Sequence, residues 1–129
     1  MSVEYTYDEE HHVLYTRFFG VVIEKDLKDQ AEAVAADPRI GPGARELVDL
    51  SGIEDIQGDS RALELNIQID SAHREKLAGM RTAIVASTDL LYGFARMYQS
   101  LAEVKDSPLT VEVFRTVEKA REWLGLQDD

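Results

Sequence analysis

The chain of 129 residues contains no cysteine, which excludes disulfide bonds, thiolate nucleophiles and thiolate metal sites. Histidine is also scarce, and two of the three histidines are adjacent, so their side chains point to opposite faces of an extended strand. No run approaches the roughly 20 apolar residues that a membrane-spanning helix needs. The first ten residues have neither a basic nor an apolar segment, so we expect no signal peptide and a cytoplasmic location.

Basic residues are few. The sequence has 14 Lys and Arg against 25 Asp and Glu, which gives a formal net charge of −11 and a pI near 4.6. Such a surface repels phosphate backbones and anionic membranes, so we expect no nucleic-acid partner. Hydrophobic residues make up 44% of the chain, as in ordinary folded domains, and the length fits one domain over residues 1–129.

Motifs that carry chemistry are missing as well. The sequence has no nucleophile elbow, no glycine-rich phosphate loop and no zinc-protease motif. An acidic stretch at residues 54–59 lacks the spacing of a calcium loop. We therefore expect no catalytic residues, no metal site and no cofactor, and a protein that is not an enzyme.

The hydrophobic pattern predicts secondary structure in the first half of the chain. Residues 3–7 and 12–19 alternate with a period of two and are predicted to form an antiparallel hairpin. Residues 23–36 have helical spacing, and the proline at position 38 ends that helix. The short apolar run 45–53 predicts a central strand, in which Asp49 should lie at the carboxyl end or be hydrogen-bonded.

Residues 60–77 are ambiguous. Leu63, Leu65, Ile67 and Ile69 alternate with polar residues, which taken alone favours a strand. We predict a helix, because a crossover between parallel strands needs one at this point and Gly79 is a typical helix end.

The remaining elements follow from clearer signals. Residues 81–86 predict a strand, Thr88 begins a helix that runs to about residue 105, and residues 109–114 predict the last strand. A final helix is capped by Thr116 and ends at Gly125. The predicted fold is α/β, with a mixed five-stranded sheet that begins as an antiparallel hairpin and continues parallel, and about four helices mainly on one face.

Three stretches resemble one family. Leu-Val-Asp-Leu-Ser-Gly-Ile at 47–53 looks like the central strand of STAS domains, and 87–97 and 113–124 are similar to the closing elements of SpoIIAA-like proteins. The resemblance covers almost the whole chain and implies a SpoIIAA-like βα superhelix. It also implies a non-enzymatic regulatory or protein-interaction module. The SEC14-like label that such proteins carry implies an alternative, a carrier or sensor of a small apolar or acyl ligand.

One departure from that family concerns its regulatory serine. The bacterial anti-sigma-factor antagonists of this fold carry Asp-Ser-Ser-Gly after the central strand, and a serine there is phosphorylated. In an ungapped overlay Gln-Gly-Asp-Ser at 57–60 takes that place, so the phosphorylated serine falls on Asp59 and Ser60 is one position late. We therefore expect no phosphorylation switch at this position.

Open α/β sheets bind ligands beyond the carboxyl ends of their parallel strands. Six polar residues are predicted to collect at that edge as a candidate ligand or partner site: Asp49, Ser51, Asp59, Ser60, Ser87 and Thr88. The alternative is that these side chains only cap helices and hold turns.

A second candidate surface lies on the predicted helix 60–77. If Ala62, Leu65 and Ile69 face the sheet, Leu63 and Ile67 lie on the opposite side of the helix. Two large aliphatic residues there predict a contact surface for a protein partner, with a homodimer slightly favoured.

Overall fold

A computed structural model describes residues 2–126. The strands are β1 (Val3–Asp8), β2 (Val13–Val22), β3 (Arg45–Ile56), β4 (Arg81–Val85) and β5 (Thr110–Phe114). The helices are α1 (Glu24–Ala36), α2 (Ser60–Ala72), α3 (Arg74–Leu77), α4 (Asp89–Val104) and α5 (Val117–Leu124). The predicted order of strands and helices is confirmed, and the stretch predicted as one helix over 60–77 is divided into α2 and the single turn α3.

The five strands form one mixed sheet in the order β1-β2-β3-β4-β5. The β1–β2 pair is antiparallel and the other three pairs are parallel, as predicted. Strand β3 continues to Ile56, beyond the predicted run 45–53. Gly52 pairs with Phe19 of β2 beside a register shift, where a Cβ atom at Gly52 would lie 3.1 Å from the Phe19 Cβ, so the glycine permits the close approach of the two strands.

The alternation of side chains along β3 separates two layers of packing. On one face Val48 and Leu50 pack with apolar residues of α1, α2 and α4. On the other face Leu47 packs with Ala120 and Leu124 of α5. Three of the longer helices therefore share one face of the sheet, and α5 lies on the opposite face.

Helix ends confirm the predicted caps. The Leu91 amide donates to the Thr88 hydroxyl at the start of α4. Helix α5 ends at Gly125, which takes the left-handed conformation with φ of 73°. These signals act over three or four residues, which is why the sequence alone locates them.

Helix α2 is rotated relative to the prediction. Leu63 and Ile67 are only 2% and 1% exposed and belong to the main hydrophobic core. The predicted exposure of this pair is wrong, so these two side chains do not form the predicted contact surface. Asn66 and Asp70 lie on the sheet side of α2, together with Leu63 and Ile67.

A buried carboxylate fixes the chain after α1. The Asp37 side chain accepts hydrogen bonds from Arg39 Nε at 3.0 Å, Arg39 Nη2 at 2.7 Å and the Tyr5 hydroxyl at 2.9 Å. The Arg39 guanidinium holds the pKa of Asp37 well below its usual range. This cluster joins the end of α1 to β1.

We expect Asp37→Asn to lower the free energy of unfolding at neutral pH by about 2 kcal/mol, because it removes a nearly buried charge that pairs with Arg39. A carboxyl whose pKa is depressed stabilises the fold above its unfolded pKa, so the loss should shrink as the pH falls below about 4. Urea denaturation at several pH values measures it. Asp29→Asn, in the exposed Lys25–Asp29 pair, is the control and should change little. Equal effects of the two variants would contradict the prediction.

Candidate functional site

Of the six predicted edge residues, Asp49 and Ser51 lie within β3, and the other four lie at or just before the starts of α2 and α4. Asp49 Oδ1 accepts from the Ser51 amide at 2.9 Å, which satisfies the expectation that Asp49 is hydrogen-bonded. Asp59, not Ser60, is the N-cap of α2 and accepts from the Arg61 amide at 3.0 Å. Thr88 caps α4, and the carbonyl of Ser87 accepts from Arg115. A ligand role for this edge stays a prediction.

A different site lies inside the helical layer. Helices α1, α2 and α4 line a partly open cavity of about 90 Å³ against the sheet. Its walls are mainly apolar, and its aromatic and aliphatic lining includes Phe18, Leu27, Leu63, Ile84 and Phe94. The volume is several times the 10–15 Å³ that one water molecule needs.

Glu46 is the polar centre of the cavity floor. Strand alternation places Glu46 on the same face as Val48, and parallel pairing brings Thr82 of β4 directly beside it. Glu46 Oε2 accepts from the Thr16 hydroxyl at 3.0 Å and from Gln30 Nε2 at 3.3 Å, and Oε1 accepts from the Thr82 hydroxyl at 3.2 Å. Three strands and α1 therefore converge on one carboxyl group.

Helix α2 contributes a second carboxyl group to the same cavity. Asp70 is 7% exposed, and its Oδ2 accepts from the Tyr98 hydroxyl of α4 at 3.5 Å. One turn earlier on α2, Asn66 also lines the cavity, and its Oδ1 is buried without a hydrogen-bond partner in the part of the chain that the structure describes. Most buried polar atoms in folded proteins have a partner, so an unpaired amide oxygen at a cavity wall is a feature that needs an explanation.

Burial changes the protonation of these groups. Burial raises the pKa of Glu46, although its three donors oppose the rise. Burial, and next the charge of Glu46, raise the pKa of Asp70 to about 7. The pKa of Tyr98 is also raised by burial and by the two carboxyl groups. The cavity thus contains two carboxyl groups that influence each other, and shifted groups of this kind in a cleft often mark functional sites.

The residues of this cluster are not among the site residues predicted from the sequence. The sequence contained a signal for Glu46. This residue alternates with Val48 and Leu50 on one face of β3, so it must be buried if helices cover that face. The contribution of α2 had no such signal, since Asn66 and Asp70 look like ordinary polar residues of an exposed helix face.

Within residues 2–126, no group of three His, Asp or Glu side chains is arranged to hold a metal ion. In the same part of the chain, no helix combines the length and the apolar character needed to cross a membrane.

The mixed five-stranded sheet and its helices form an α/β fold that matches a SpoIIAA-like fold, as the resemblance implies. One similar solved structure is the crystal structure of an uncharacterized protein of the DUF3478 family, with a SpoIIAA-like fold, from Shewanella loihica PV-4. The two chains are 16% identical with a TM-score of 0.57, and the alignment covers 95% of this chain and 91% of the other. At this identity the likeness concerns the fold alone. No protein-family model matches the sequence, and no curated protein matches it significantly.

Proposed function

We propose that the protein is a non-enzymatic binding module that holds a small amphipathic molecule, as a carrier or as a sensor. The observation that supports this function is the cavity beneath α1, α2 and α4, which has mainly apolar walls and a few polar groups. Ligand pockets in proteins have this composition, because apolar walls supply affinity and a few placed polar groups fix orientation.

The alternative is that Glu46, Asp70 and Tyr98 form a purely structural polar network. Such a network is expected to fill its space and to satisfy its members, since a partly satisfied buried network destabilises the fold. Here space remains between the helices, and Asn66 Oδ1 has no partner. Both features favour a bound molecule over a structural network.

The size of the cavity limits the ligand. A dry cavity of roughly 150 Å³ accommodates benzene in another protein, so about 90 Å³ suits a molecule with roughly four or five non-hydrogen atoms, or one end of a longer chain. A ligand in the cavity would contact both α2 and α4, and so link the two helices. A sensor could therefore report binding through these two helices to a protein partner, which keeps the predicted interaction role as part of the same proposal.

We expect at least one member of a panel of short-chain molecules, n-butylamine, 1-butanol and butyrate, to bind in this cavity. Shifts of backbone amide signals of residues on α1, α2 and α4, followed by two-dimensional NMR during titration, provide the measurement. Ala31→Leu should abolish binding, because Ala31 lines the cavity and the larger side chain fills it. The fold should be retained, since leucine has a good helix propensity.

Ala33→Leu is the matched control, because it makes the same change two residues away on the exposed side of α1. Binding should survive in this variant. If no member of the panel binds, or if Ala31→Leu binds as the wild type does, the proposed function is wrong.

A further inference from the structure

We propose that the cavity selects a cation, a primary ammonium group on a short alkyl chain, which Glu46, Asp70 and Asn66 would hold through their oxygen atoms. The inference rests on the proposed function and names the chemical class of its ligand. It depends on three observations: the kinds of polar atoms in the cavity, their hydrogen bonds, and the balance of charge around them.

The polar lining is rich in acceptors. Glu46, Asp70 and Asn66 present side-chain oxygens, and among the residues of 2–126 that line the cavity none is lysine, arginine or histidine. Among residues 2–126, no donor reaches the Asn66 side-chain oxygen, and the Tyr98 hydroxyl is the donor to the Asp70 side chain, at a long 3.5 Å. An ammonium group brings three N–H donors and no acceptor, which matches this set.

The charge balance points the same way. Two carboxyl groups line one small, largely apolar cavity, and each is more than nine-tenths buried. Ionising both without a counter-charge is costly, because a buried charge needs a partner. A single positive charge between them supplies that partner, whereas a carboxylate ligand would add a third negative group. The net charge of −11 also attracts cations and repels anions. An anionic fatty acid is thus a poor fit to this cavity.

The apolar walls determine the rest of the molecule. Leu27 and Leu63 on two helices and Phe94 on a third surround the space beside the carboxyl groups. An alkyl chain of roughly three or four carbons fits a volume of about 90 Å³. The ammonium group would lie at the Glu46–Asp70 side, and the chain would contact the aliphatic and aromatic side chains.

The test compares n-butylamine with 1-butanol and butyrate, which have nearly the same length and differ in charge. At about pH 8 the amine remains protonated, and we expect it to bind at least ~10-fold more tightly than 1-butanol, with butyrate weakest. Affinity for the amine should fall between about pH 8 and pH 6, as protons compete for Asp70. Affinity for the alcohol should not fall in this way.

Asp70→Asn keeps the shape and removes one charge. It should retain 1-butanol binding and reduce the preference for the amine by about 10-fold. Glu75→Gln, an exposed carboxylate on α3, is the control and should leave the preference unchanged. If the amine binds to the acidic surface and not in the cavity, it should still bind to the Ala31→Leu variant, whose cavity is filled. Amine binding to that variant would count against the inference.

The outcomes separate the two proposals. If 1-butanol or butyrate binds as tightly as the amine, or if Asp70→Asn keeps the full preference, the cation inference is wrong while the binding function stands. If nothing binds, both are wrong.

Should Asp70→Asn fail to fold, calorimetry of wild type in two buffers with different ionisation enthalpies provides the second measurement. Amine binding near pH 7 should release protons, and zero release would overturn the inference.

Discussion

Leu63→Glu is expected to abolish cooperative folding. Leu63 is 2% exposed and packs in the core formed by the sheet and α1, α2 and α4. An unpaired glutamate at this position must either lose its charge or open the core. The cost is on the order of 5 kcal/mol, comparable with the whole stability of a small domain. Urea denaturation followed by circular dichroism should show a lost or strongly shifted transition.

Leu90→Glu makes the same change on α4, where Leu90 is 75% exposed, and should alter the free energy of unfolding by less than about 1 kcal/mol. The milder variant Leu63→Ala should still fold, with a loss of about 2–5 kcal/mol, so that the effect can be measured where the glutamate variant cannot. A folded Leu63→Glu protein that changes only its oligomeric state would instead restore the surface role predicted from the sequence.

The contrast between these two leucines shows what the sequence could predict. Helix 89–104 was located by its Thr88 cap and its apolar spacing, both of which are local signals. The helix predicted over 60–77 is confirmed as helical in α2 and α3, but four aliphatic residues at alternate positions allow two helical phases. The choice between the phases depends on which polar residues are buried, and no local rule provides that information.

The predicted ends of β2 and β3 are too early for a related reason. The predicted strands 12–19 and 45–53 stop beside Gly20 and Gly52, yet β2 and β3 continue to Val22 and Ile56. These two glycines belong to an irregular part of the β2–β3 ladder, where the register shifts. A glycine in sequence does not distinguish a strand end from a bulge, because the difference depends on the neighbouring strand.

The cavity could not have been assembled from sequence spacing. Thr16 and Glu46 are separated by 30 residues and Asp70 and Tyr98 by 28 residues, so their contacts depend on the arrangement of the sheet. Polar residues in the core contradict the usual pattern of apolar inside and polar outside. Such contradictions in natural proteins concentrate at functional sites, which supports the cavity over the six predicted edge residues as the place to test.

Asp70→Asn is expected to stabilise the protein increasingly as the pH rises. The pKa of Asp70 is raised from 3.8 to about 7, so the folded protein retains a proton that the unfolded chain has lost. A carboxyl group whose pKa is raised by folding lowers the free energy of unfolding progressively as the pH rises from its unfolded pKa to its folded pKa. Above the folded pKa this loss of stability stays constant. Asparagine does not titrate, so the variant avoids this loss.

The stability difference between Asp70→Asn and wild type should grow by about 3 kcal/mol from pH 5 to pH 8, at about 1.4 kcal/mol per unit until it levels near pH 7. Urea denaturation at half-unit intervals gives the difference curve, in which groups common to both proteins cancel. Glu75→Gln, which alters an exposed carboxylate, should give a nearly flat curve. A flat curve for Asp70→Asn would mean that Asp70 titrates normally in the folded protein.

Saturating n-butylammonium should stabilise wild type more at pH 8 than at pH 6, because a bound cation offsets the charge that Asp70 carries above pH 7.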